Sequence, residues 1–114
     1  MTAPEGTFVA HVKAGTVQLP PPMARYCAEA NWTLFRINYL DEERLEFMPV
    51  LPDDSDDDLD TGFHSSLSGE GKLWIPGELR DAVALGDHSV MMRIENGVIR
   101  MYLRQVFKTL GFRP

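Results

Sequence analysis

A short pattern, Gly-x-apolar-x-apolar-Pro followed by a helical apolar face, is written twice in this chain, fifty-six positions apart. Gly15 falls on Gly71, Val17 on Leu73, Leu19 on Ile75, Pro20 on Pro76, Met23 on Leu79 and Cys27 on Val83. Further on, one residue of slippage sets Phe35 and Ile37 over Met92 and Ile94. Identity is confined to the glycine and the proline. The remainder is shared as period and pattern, which is how an internal duplication reads once its side chains have drifted. A chain of 114 residues has little room for two separate interiors, because a unit of ~50 residues buries too small a share of its surface to be stable alone. The two copies are therefore expected to share one core.

Each copy reads as strand, turn, strand, short helix, strand, turn, strand. In the second copy Phe63–Leu67 and Lys72–Ile75 are strands around a glycine-rich turn, where positive φ is cheap. Pro76 suits the first turn of a helix, since its missing N–H has no intrahelical role there. Leu79, Val83 and Leu85 give that helix one apolar face, and Gly86 is its expected C′ residue. Val90, Met92 and Ile94 alternate, Asn96-Gly97 signals a type I′ hairpin, and Ile99, Met101 and Leu103 alternate again. The first copy follows with Phe8–Val12, Thr16–Leu19, a helix near Pro22–Ala30, and a hairpin of Trp32–Leu40 with Arg44–Val50. The fold class expected is mainly β with short helices, the duplicated units interleaved into one β-barrel.

Charge divides the chain further. Residues 1–51 form the first repeat and carry four bases against six acids. Residues 52–61, PDDSDDDLDT, hold six aspartates and no base, and read as an acidic linker because repelling carboxylates cannot pack together. Residues 62–103 form the second repeat and 104–114 a C-terminal tail. From residue 62 onward there are seven bases and five acids. The net charge of −6 therefore sits in the linker, and it does not by itself argue against an anionic partner. No run reaches the ~20 apolar residues of a membrane span, no secretory signal is read at the N-terminus, and Cys27 is the only cysteine. A cytoplasmic protein without an internal disulfide is expected.

The run Gly71-Lys72-Leu73-Trp74-Ile75-Pro76-Gly77-Glu78-Leu79-Arg80, with Leu85-Gly86-Asp87 and the closing hairpin, resembles the swapped-hairpin DNA-binding domain of AbrB-like transition-state regulators and the repeats of MraZ regulators. The resemblance covers residues 63–103 well and 8–50 loosely. It implies two hairpin units interleaved into one small barrel, with both copies supplied by one chain as in MraZ. It also implies sequence-specific duplex DNA binding in transcription regulation, by a homo-oligomer that needs no cofactor. The chain departs from the family pattern at the basic position after the turn glycine, which is Lys72 here and the uncharged Thr16 in the first copy.

On that resemblance Lys72 and Arg80 are the expected DNA contacts, with Lys13 and Arg25 as lesser ones. The same four cations also read as scattered solubilising charges. Arg93, Arg100 and Arg104 form a second basic group, expected on the outward face of an edge strand. With Trp74 they mark a possible interaction surface, for a second copy, an acidic partner or the aspartate linker itself. His11, His64 and His88 have no ligand spacing, so no metal site is expected. No nucleophile elbow or phosphate-cradling loop is present, and no enzymatic activity is expected. Cys27 and Trp32 read as core. The alternative to DNA binding is a non-enzymatic protein-interaction module, antitoxin-like or adaptor, built on the same barrel.

Overall fold

A computed structural model describes residues 3–51, 62–83, 86–87 and 89–103. The acidic linker, the C-terminal tail with Arg104, and Leu85 and His88 lie outside the described residues. Eight strands and two helices follow one another in the order β1 (Phe8–Lys13), β2 (Thr16–Gln18), α1 (Pro21–Ala30), β3 (Leu34–Asp41), β4 (Arg44–Pro49), β5 (Phe63–Ser66), β6 (Lys72–Trp74), α2 (Gly77–Ala82), β7 (Ser89–Glu95) and β8 (Val98–Tyr102). The strands form a single antiparallel sheet in the order β5-β3-β4-β8-β7-β1-β2-β6. Its two ends approach each other through a bridge between Leu67 and Leu73, so the sheet is a nearly closed barrel.

The two halves are interleaved. β1 and β2 from the first half lie between β7 and β6 of the second. β3 and β4 lie between β5 and β8. A pseudo-twofold axis passes between β2 and β6, where Val17 faces Leu73, and the β4–β8 pair crosses it again on the far side. The two copies obey this axis in their hydrogen bonds. Ile75 N–H donates to Gly15 O and Leu19 N–H donates to Gly71 O, both at 2.8 Å. Gly15 and Gly71 have φ of 80° and 82°. Pro20 and Pro76 occupy the two helix N-caps with ψ of 145° in each.

Every hairpin has a local cause. Asn96 and Gly97 both have positive φ, as a type I′ turn requires. The β1–β2 turn uses Ala14 and Gly15 in the same way. Asp41 accepts from Glu43 N–H and from Arg44 Nε, closing the β3–β4 turn, and the Arg44 contact holds its carboxyl below the usual carboxylate range. The Ser68 hydroxyl accepts from the Glu70 and Lys72 N–H groups and shapes the β5–β6 turn. Asn31, at φ 60°, ends α1, and Trp32 N–H donates back to Cys27 O, the pattern of a Schellman stop.

Two expectations are corrected. The helix of the second copy ends at Ala82, with Val83 as C-cap at φ −108°, so Gly86 is not its C′ residue. Six residues form too few helical bonds to hold on their own, and α2 is kept by burying Leu79 and Val83. The slippage between copies also runs the other way. The paired strands place Phe35 in the role of Val90 and Ile37 in the role of Met92, because the path from the helix-capping proline to the next strand is one residue shorter in the second copy.

One core fills the barrel. Val17, Phe35, Leu45, Phe47, Leu73, Ile75, Met92, Ile99 and Met101 have no exposed surface. Met23 and Cys27 from α1 and Leu79 and Val83 from α2 close it at the helices. Trp32 packs edge-on against Tyr26 and Phe35 at ring-centre distances of 5.2 and 6.2 Å, the arrangement in which an aromatic edge meets a π face. Removing the Phe47 ring would cost about 3–5 kcal/mol.

Two predictions follow from this architecture. Residues 1–51 and 62–103, made as separate chains, should each lack a cooperative unfolding transition, and mixing them should restore one. A cooperative melt from either fragment alone would contradict the shared core. Burial raises the Cys27 thiol from its ordinary 9.0 to about 11. Its protonated state therefore adds stability below pH 9, and that contribution fades as pH rises toward 11. In the native protein a thiol reagent at neutral pH should modify Cys27 only as fast as the barrel opens, whereas in denaturant it should react at once.

Candidate functional site

The outward face of β1, β2 and β6 carries Lys13, Lys72 and the exposed Trp74. Side chains alternate along these strands, so Val12, Val17 and Leu73 point inward and their neighbours point out. Strand register then sets two rows across the face. One runs Ser89, His11, Gln18, Lys72, and the next runs Lys13, Thr16, Trp74. Trp74 is half exposed at 50%, the most exposed of the large apolar side chains. It does not pack beneath a helix. Neither Lys13 nor Lys72 has an ion-pair partner among the described residues.

A helix closes each end of this ribbon against the other half's turn. At one end the half-buried Arg80 lies across Gly15, and its guanidinium carbon would be 3.0 Å from a Cβ placed there. Its Nε donates to Ile75 O at 3.0 Å, so the Nη nitrogens are the groups left to meet a ligand. The Asp87 carboxylate accepts from Ala14 N–H at 3.0 Å, which supports a non-glycine residue at φ 54°. At the opposite end Ala24 of α1 covers Gly71, with the Gln18 amide beside it. Arg25 follows Ala24 on α1 and is exposed. Of the four residues expected from sequence, Lys13 and Arg80 flank the β1–β2 turn, Lys72 opens β6 beside the other turn, and Arg25 is exposed on α1.

The sequence reading did not include the side chains that hold this face in shape. Gln18 Nε2 donates to Glu70 O at 2.8 Å and lies 3.3 Å from Gly71 O, tying β2 to the β5–β6 turn. The Thr16 hydroxyl donates to Lys13 O at 2.9 Å and braces the β1–β2 turn. The Ser65 hydroxyl, buried, accepts from Trp74 N–H at 3.0 Å and supplies one of the few links between β5 and β6. The Ser89 hydroxyl and His11 Nδ1 are 3.0 Å apart. The only sequence signal for these residues was their polarity in otherwise apolar strands.

The second basic group has a different setting. β8 lies between β4 and β7 and is not an edge strand. Arg93 and Arg100 face each other directly across β7 and β8, an opposition of like charges that would be unfavourable alone. Two glutamates offset it. Arg100 reaches Glu46 at 3.4 Å and Glu95 at 3.5 Å, and Arg93 Nε is 2.6 Å from Glu95 Oε1. Asn38 and the Tyr102 hydroxyl extend the ladder by donating to Glu46 and Glu95. Pairs this exposed contribute at most about 1 kcal/mol each, but they leave the two arginines neutralised. Trp74 sits on β6, three strands away from β7, so the structure does not join it to Arg93 and Arg100.

Among the described residues no three His, Cys, Asp or Glu side chains converge on a point where a metal ion would sit, and no helix is long and apolar enough to cross a membrane. The chain matches no protein-family model, and no curated protein matches it in sequence.

Gly15 is the position where this geometry is most easily tested. A side chain there meets both a positive φ and the Arg80 guanidinium. Gly15→Ala should destabilise the barrel by about 1–2 kcal/mol, the cost of left-handed backbone for an L-residue, as measured by denaturant unfolding. In an Arg80→Ala background the steric part should vanish and the backbone part remain. Equal costs in both backgrounds would show that Arg80 does not press on this turn.

Proposed function

We propose that the chain is a duplex DNA-binding regulator of transcription, of the AbrB/MraZ-like type, acting in the cytoplasm as a homo-oligomer and without a cofactor. The observation that carries this reading is the two-stranded ribbon of β2 and β6, crossed by the pseudo-twofold axis, with Lys13 and Arg80 at one turn and Lys72 at the other. A two-stranded antiparallel ribbon is one of the two elements that fit the major groove of B-form DNA, which is ~12 Å wide. Four residues separate the level of Gly15 from that of Leu19, opposite Gly71, which spaces the two turns about 13 Å apart at ~3.3 Å per residue. Lys13, Arg25 and the Nη groups of Arg80 supply phosphate contacts, and Lys72 on β6 faces base edges. The ribbon's own outward side chains face the bases between them.

Three such contacts are few for one barrel. At ~0.9 per phosphate the affinity would fall with a log–log salt slope of about −2.7. Binding by more than one barrel brings the affinity into the range of a regulator, which is why a homo-oligomer belongs to the proposal. A second reading, a protein-interaction module, draws on one specific observation: Trp74 is half exposed on the same face, and aromatic anchors of this kind, once buried by a partner, dominate protein interfaces.

A titration of fluorescent random duplex and of genomic fragments at two salt concentrations separates the two. Duplex DNA should bind with a slope of about −2.7 per barrel, and Lys13→Ala or Arg25→Ala should each reduce that slope by about 0.9. Absence of binding, or binding indifferent to salt, would rule out the DNA reading and favour the interaction module.

A further inference from the structure

The pseudo-twofold axis is kept in the interior and lost on the surface. Across it the buried positions match in kind: Val17 with Leu73, Leu19 with Ile75, Met23 with Leu79, Cys27 with Val83. The turn glycines and the helix-capping prolines match in identity. None of the outward positions around the ribbon does. The axis relates Thr16 to Lys72, Gln18 to Trp74, Ala24 to Arg80 and Arg25 to Asp81. Lys13, at the strand end before the first turn, corresponds to Ser68 before the second.

The mismatches differ in availability as well as in chemistry. On the first-copy strand, the Thr16 hydroxyl and the Gln18 amide are both bound to turn carbonyls. On the second-copy strand, Lys72 and Trp74 are exposed, and neither side chain has a hydrogen-bond partner among the described residues. The ribbon is therefore a twofold backbone that offers a lysine and an indole from one strand and two restrained polar groups from the other.

From this we infer that one barrel reads a non-palindromic DNA sequence, with Lys72 and Trp74 on β6 as the specificity-determining side chains and Thr16 and Gln18 on β2 holding the ribbon's shape. The inference rests on the DNA-binding reading and adds to it the symmetry of the target. A homodimeric barrel must present identical groups on both sides of its axis, and its target inherits that symmetry. A fused pair is free of this constraint, and here every outward pair has used that freedom. A lysine facing base edges favours the guanine acceptors O6 and N7, so the Lys72 end of the site should prefer guanine. In an oligomer each barrel's own footprint remains asymmetric, and any dyad in the whole site lies between footprints.

Enrichment of binders from a random duplex library by the full chain tests this directly. Within a single-barrel footprint the enriched motif should lack a dyad. Lys72→Ala should flatten base preference at one end alone, by about tenfold between best and worst base. Thr16→Lys should add a guanine preference at the opposite end, moving the motif toward a palindrome. A palindromic motif from the unaltered chain overturns this inference while leaving DNA binding intact. So does equal flattening of both ends by Lys72→Ala, or retention of full preference in that variant. Failure to enrich any duplex overturns the DNA-binding reading and this inference together.

Discussion

The pairing of β2 with β6 is the contact on which the rest of the architecture depends. Each strand is only three residues long, yet the ladder is lengthened at both ends by a backbone bond to a turn glycine of the other half. Those carbonyls are within reach because Gly15 and Gly71 turn with positive φ. With the two ribbon strands locked, the prolines that follow send the two helices off in opposite directions, each over the other half's turn. The apolar face of each helix then has a sheet to cover. Neither half has such a sheet by itself, because β1 and β2 meet β7 and β6, and β3 and β4 meet β5 and β8.

The charged surface is organised by the same pairings, with opposite results on two sides. Across β4, β8 and β7 the register places Glu46, Arg100, Arg93 and Glu95 in reach of one another, and their charges cancel locally. Across β1, β2 and β6 the register spreads Lys13 and Lys72 among neutral groups, with no carboxylate opposite either. The distinction between a paired arginine and an available lysine comes from which strand lies alongside, and not from the residues taken singly.

That contrast also explains which parts of the molecule were legible in the sequence. Strand alternation, the Asn96-Gly97 turn and the Pro-opened helices are local signals, and they stand in the structure within a residue or two. The repeat was legible too, since a glycine and a proline are retained for backbone reasons that no other residue satisfies. The direction of the slippage was not, because it is fixed by how β3 and β7 pair with their neighbours and not by a local pattern. The candidate face was legible only in part. Arg80 was visible as a cation, but its bond to Ile75 O and its place across Gly15 require the other half's turn. Gln18 and Asp87 make their bonds across the interleaved seam, to the Glu70 carbonyl and the Ala14 N–H, and no local pattern in the sequence gives those partners. Reading β8 as an edge strand failed for the same reason, since its partner β4 lies in the first half.

The interleaving has a consequence for how the chain is born. His11 sits beside Ser89, 78 residues later, and β1 cannot pair fully until β7 has left the ribosome. Until then the first half carries apolar strands and a helix face without a cover. Such non-local topologies close slowly and expose sticky intermediates on the way. The barrel thus cannot close before its second half has emerged, and the nascent first half is the species that a chaperone would have to hold.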